Sequence, residues 1–239
     1  FDASGETSVD ESVVELFSDE STEPGLQLDL SATHPYEFAG LDSGRYTVKV
    51  IPDTLSYPET LPTWLGDQVT RVEAHYVILD GDSTGQDIHV VARPEECSGS
   101  GTVEGTFSED ETGTRKITTT QSSTAQGTPV SNGYVFLFDP VTASLKAFDI
   151  PSSEGAFIFR KLEAGDYKFH ADYKGIPMDA SNPALTITGT DDTLHIAAVA
   201  GTENIAIEVI SNLEALEESH LKVYPVPVIE KLIIEYEQD

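Results

Sequence analysis

The sequence predicts an all-β protein built as two tandem β-sandwich domains, and three observations carry that expectation. Two segments repeat at one constant offset, apolar and polar residues alternate with the period of a strand, and Gly, Pro, Asn and Asp punctuate the apolar clusters at short intervals.

The repeat comes first, because a duplication means one architecture is built twice. Val13-Val14-Glu15-Leu16-Phe17 matches Tyr134-Val135-Phe136-Leu137-Phe138 at an offset of 121. The stretch from Tyr36-Glu37-Phe38 through Leu41, Gly44 and Tyr46 matches Phe157-Ile158-Phe159 through Leu162, Gly165 and Tyr167 at the same offset of 121. One register held across two separated segments marks a duplication.

The clusters at 13–17 and 134–138 are nearly continuous apolar runs, rich in β-branched and aromatic residues, which suits strands covered on both faces. Tyr46-Thr47-Val48-Lys49-Val50 and Tyr167-Lys168-Phe169-His170-Ala171 alternate instead, so each reads as a strand with one wet face. Further strands are expected at 74–79, 87–92, 101–107, 185–188, 194–199 and 204–210, about six in each half. The recurring Leu-x-x-Gly-x-Tyr unit reads as a tyrosine corner: Gly44 and Gly165 allow a tight approach turn, and Tyr46 and Tyr167 bury a ring while returning the hydroxyl to nearby backbone. These four are structural residues. Between the halves, 93–100 carries Pro, paired Glu, Gly and Ser, the composition of a short flexible boundary, which places the first module at 1–96 and the second at 97–212. The acidic, threonine-rich stretch 108–128 lacks periodicity and reads as a long exposed insertion.

Composition narrows the functions. Thirteen Lys and Arg against 42 Asp and Glu give a net charge of −29, a field that repels phosphate backbones and anionic headgroups, so neither nucleic acid nor a membrane surface is an expected partner. An apolar content of 38% fills cores and argues against a disordered acidic chain. The single Cys97 excludes an internal disulfide and lies among Pro, Glu, Gly and Ser without a His or second Cys, so it reads as an inert linker thiol. No apolar run approaches the roughly 18 residues of a membrane-spanning helix, and no charged-then-apolar leader opens the chain, so no membrane insertion is expected.

Gly101-Thr102-Val103-Glu104-Gly105-Thr106-Phe107, then Pro129 to Phe138, then Gly155-Ala156-Phe157-Ile158-Phe159 through Tyr167, resemble the carboxypeptidase regulatory-like and Cna B-type repeats. That resemblance implies a Greek-key sandwich of prealbumin-like or immunoglobulin-like kind in each half, and a role as stalk, spacer or adhesion module of a bacterial surface protein. Some Cna B-type domains carry a Lys–Asn crosslink. Here the first half's only lysine, Lys49, lies beyond its first strand and 101–107 has none, so no crosslink is expected. At the C-terminus, Val223-Tyr224-Pro225-Val226-Pro227 followed by an alternating run is similar to the opening of the type IX secretion sorting domain, with Val226 in place of the usual Asn. The resemblance implies that 213–239 is a linker and the start of a sorting segment, on a protein that is secreted or held at the outer cell surface.

No catalytic signature is present: the sequence lacks a phosphate loop, a nucleophile elbow and a zinc motif, and its six histidines are scattered. The chain is expected not to be an enzyme and to need no cofactor. Calcium is the one plausible ligand ion, because Asp80-Gly81-Asp82-Ser83-Thr84-Gly85-Gln86-Asp87 offers Asp80, Asp82 and Asp87 around two glycines, with Asp191-Asp192 at the matching turn; a solvated turn is the favoured alternative. Tyr57-Pro58-Glu59-Thr60-Leu61-Pro62-Thr63-Trp64-Leu65-Gly66-Asp67 holds the only Trp. Tyr57 and Trp64 with Asp67 could form an aromatic shelf for a sugar ring, whereas a lone Trp more often closes a core, the favoured reading. The expected function is therefore a structural or adhesive surface module, monomeric, whose partner is a polysaccharide or another surface protein; a carbohydrate-binding module accessory to an exported hydrolase is the alternative.

Overall fold

The computed structural model describes residues 9–31, 36–110, 127–189 and 192–210, and these carry fourteen strands, one 3₁₀ turn at Arg71–Glu73 and no α-helix. The segment expected to open a sorting domain, most of the threonine-rich insertion, Asp191, His34 and His220 lie outside the described residues. In chain order the strands are β1 (Glu11–Ser18), β2 (Leu26–Ser31), β3 (Gly44–Pro52), β4 (Thr63–Trp64), β5 (Val77–Leu79), β6 (Gly101–Glu109) and β7 (Thr128–Pro129). The remainder are β8 (Tyr134–Phe138), β9 (Leu145–Asp149), β10 (Ala156–Leu162), β11 (Gly165–Asp172), β12 (Leu185–Ile187), β13 (Thr193–Ala200) and β14 (Ile205–Ile210).

The duplication is visible as hydrogen-bond register. In the first half β1 lies between β2 and β3, with Leu16 opposite both Leu26 and Val48. In the second, β8 lies between β9 and β11, with Leu137 opposite Ala147 and Phe169. All three residues differ by 121. A further short strand pairs with each corner in the same way: Tyr46 faces Val77 and Tyr167 faces Leu185.

Across this shared frame the halves diverge. The second half adds another sheet, in the order β10-β6-β13-β14 with β7 on β6, and the two sheets bury one core that includes Val103, Phe107, Leu137, Phe159, Phe169 and Ile196. That is a β-sandwich, and its parallel β6–β13 pair makes the added sheet mixed. The described residues of the first half form one sheet only, β2-β1-β3-β4 with β5 also on β3. The strand expected at 87–92 is not formed, nor is one at 36–38; these segments lie over the sheet as irregular chain, holding Tyr36, Phe38, Ile88 and Val90 against Val14, Leu16 and Val48. The reason is the missing neighbour. Their counterparts β10 and β13 both bond to β6, and no described strand of the first half occupies the place of β6.

The boundary at 93–100 makes contacts with both halves. The Arg93 amide donates to the Glu59 carbonyl at 2.7 Å, Lys161 pairs with Glu96, and Ser98 donates to the Glu163 carboxylate.

Candidate functional site

The most constrained polar group among the described residues is Asp172, the last residue of β11, and it joins the two halves. Strand alternation sets its direction: Phe169 and Ala171 face the second core, whereas His170 and Asp172 face the other way. Asp172 is 5% exposed, yet one carboxylate oxygen accepts from Lys49 Nζ at 3.2 Å and from Trp64 Nε1 at 2.8 Å, and the other from the Arg71 backbone amide at 2.8 Å. All three donors belong to the first half, on β3, on β4 and in the 3₁₀ turn.

Aromatic rings close the joint. Lys49 Nζ lies 4.7 Å from the Trp64 ring centre and 4.3 Å from that of Tyr134. The Arg71 guanidinium sits 4.9 Å over Phe17 and donates to the Ser18 carbonyl. Beside this polar knot, Leu61 and Val69 of the first half pack with Phe136 of the second, which is 1% exposed on the face of β8 opposite its core. Burial pushes the Tyr134 phenol up to about 12, with Asp172 adding to the rise, and burial likewise raises the Glu15 carboxyl, which stands opposite Lys49 in the β1–β3 register. His170, on the same face as Asp172, is held below the ordinary histidine value, first by burial and then by Lys168.

The aromatic shelf, the less favoured of the two readings of Trp64, is not assembled. Trp64 is 3% exposed and packed on Phe17 and Ala74, so no flat face is offered to a sugar. Tyr57 is half-buried elsewhere, its hydroxyl oxygen accepting from the Asp10 amide. Asp67 lies at a left-handed turn with φ 61° and accepts from the His89 amide at 2.7 Å, which fastens the 86–92 segment to the sheet. Asp80, Asp82 and Asp87 are exposed and not gathered; among the described residues no group of three or more His, Cys, Asp or Glu side chains is placed to hold a metal ion.

At the corners, Tyr46 donates to the Asp42 carbonyl at 3.0 Å and Tyr167 to the Glu163 carbonyl at 2.9 Å, four residues upstream in each case. The glycines serve different ends: a Cβ on Gly44 would press on the Tyr46 ring at 3.3 Å, whereas Gly165 has open space around it but a φ of 154°. Cys97 is half-buried and approaches the Lys146 carbonyl at 3.7 Å; its thiol is pushed up by burial and then by Glu163, against a smaller opposing pull from Lys146.

Sequence reasoning missed Asp172, Lys49 and Arg71. The signal that could have found the joint was the continuity of the apolar runs at 13–17 and 134–138. A strand covered on both faces needs a second neighbour, and here Phe136 meets Leu61 and Val69 of the other half, while Phe17 packs on Trp64, a donor to Asp172.

No family model and no curated protein matches the chain. Among solved structures, the Bacillus anthracis TIE protein is similar at 13% identity, over 84% of this chain and 32% of that one, with a TM-score of 0.29. The chain spans about a third of that protein's length, and at this score the likeness bears on neither fold nor function.

Proposed function

We propose that the chain is a non-catalytic module of a larger exported bacterial surface protein, acting as a rigid spacer that holds other parts of that protein at a fixed distance and orientation. The observation that carries this reading is the buried joint at Asp172. Three donors from different elements of one half converge on a single carboxylate of the other, which opposes both bending and twisting between them. Removing one partner of such a buried ion pair costs about 3–5 kcal/mol. Outside the joint, the net charge of −29 keeps the surface solvated and disfavours association with anionic polymers and membranes. The resemblance of the repeats to stalk modules points the same way.

The test is a distance measurement. Spin labels at the exposed Ser83 and Ser153, with Cys97 replaced by serine, are expected to give one narrow distance distribution that broadens in Asp172→Ala. A broad distribution in the unaltered chain removes the spacer reading. A polysaccharide array, run with and without calcium, checks the carbohydrate-binding alternative: binding that Trp64→Ala abolishes would replace the spacer reading.

A further inference from the structure

The two halves supply an internal control for an unfilled site. Seven residues of the second core are buried: Phe157, Phe159, Leu162, Tyr167, Leu185, Ile196 and Ala198. Their counterparts in the first half, found by the offset of 121 up to the corner and by 185 − 77 = 108 beyond it, are Tyr36, Phe38, Leu41, Tyr46, Val77, Ile88 and Val90, and every one is only partly buried. The apolar pattern recurs in both copies. Among the described residues its cover does not.

What covers it in the second half is β6. That strand runs antiparallel to β10 and parallel to β13, and it places Val103 and Phe107, both 0% exposed, over the frame. Its middle residue is glycine for a steric reason: a Cβ on Gly105 would meet the Ile196 carbonyl oxygen at 2.2 Å and the Phe157 ring at 2.8 Å. In the first half a cleft of about 800 Å³ opens between 36–41 and the start of the 87–92 segment, floored by Leu16, Tyr46, Val48 and Val77, walled by Tyr36 and Phe38, and bounded on its other side by the loop 80–87 with Asp80, Asp82 and Asp87. The Tyr36 hydroxyl donates to the Gln86 carbonyl across it.

We propose that this cleft is a strand-acceptor site, completed by an extended segment of the same polypeptide that precedes residue 1. Chain order selects that occupant. In the second half the filling strand comes before β8, and subtracting 121 from 101–109 places its counterpart ahead of residue 1. The segment would pair antiparallel with 36–41 and parallel with 87–92, turning both into strands, and it would carry apolar, any, glycine, any, apolar in succession, as Val103-Glu104-Gly105-Thr106-Phe107 does.

Hydrogen exchange tests this directly. Amides at 36–41 and 87–92 are measured in the chain beginning at residue 1, in the parent polypeptide that includes the preceding segment, and in a graft with a copy of residues 100–110 joined by a flexible linker ahead of residue 1. Exchange is expected to slow by about 100-fold or more in the extended and grafted forms. The slowing should vanish when the graft's counterparts of Val103 and Phe107 become aspartate. Unchanged exchange in the extended form overturns the proposal, as does a parent polypeptide lacking the alternating pattern ahead of residue 1. Protection that appears in the unextended chain only at high concentration would assign the site to a second copy, and overturns it too. The joint at Asp172 is untouched by all these forms, so failure here leaves the spacer reading standing.

Discussion

The two halves begin from the same three-strand frame, in one register as far as a bulge at Leu137–Phe138, and end with different structures. In the second, the counterpart segments at 156–162 and 193–200 are strands in a full sheet; in the first, 36–38 and 87–92 carry the same apolar positions and form no strand. The difference teaches that strand formation is a property of pairs. Alternation tells a segment which side chains face the core, but the backbone becomes a strand only where a neighbouring ladder accepts its amides and carbonyls.

The largest expected effect breaks or sharpens that comparison at its centre. Phe159→Ala should destabilise the protein by about 3–5 kcal/mol, because the ring is 2% exposed in a closed core, whereas Phe38→Ala should cost about 1 kcal/mol. Urea midpoints of the two variants measure this, and equal losses would contradict the unequal cover. At the joint, Asp172→Ala should cost about 3–5 kcal/mol, since it leaves Lys49 buried without its counter-ion; the residue at the matching position of the first half is the half-buried Ile51, whose alanine variant should cost about 1 kcal/mol. Comparable losses would mean that the carboxylate is not what holds the halves together.

The corners should behave alike. Tyr46→Phe and Tyr167→Phe each remove one hydroxyl-to-carbonyl bond, worth about 1 kcal/mol, and thermal denaturation should show similar decreases. The smallest effect is acid sensitivity at His170, which corresponds to Lys49 in the other copy. Its folded value lies below 6.5, so in that window the unfolded chain binds the proton more readily; its contribution is present above pH 6.5 and is lost as pH falls through the folded value. Stability measured from pH 7 downward should therefore decline less in His170→Gln than in the unaltered protein.

Much of the frame was legible in the sequence. The offset of 121 between 13–17 and 134–138 located the paired strands, and the alternation after Tyr46 and Tyr167 located the strands that flank them. The candidate site was not legible. Trp64 was visible as a lone aromatic, but its partner Asp172 lies 108 residues away, and Arg71 lies 101 residues from it. Lys49 could be assigned to the outward face of its strand, which ordinarily means water.

By itself the sequence determined which residues alternate and which recur, and therefore which strands of the two copies correspond, because a side-chain period of two and one constant offset leave little choice. Tertiary structure alone decided that the outward faces of Lys49 and Asp172 would be buried together, and that 36–38 and 87–92 would stay irregular. Local pattern specifies the two faces of a strand; what lies against the outward face depends, at Asp172, on chain brought from a hundred residues away or more.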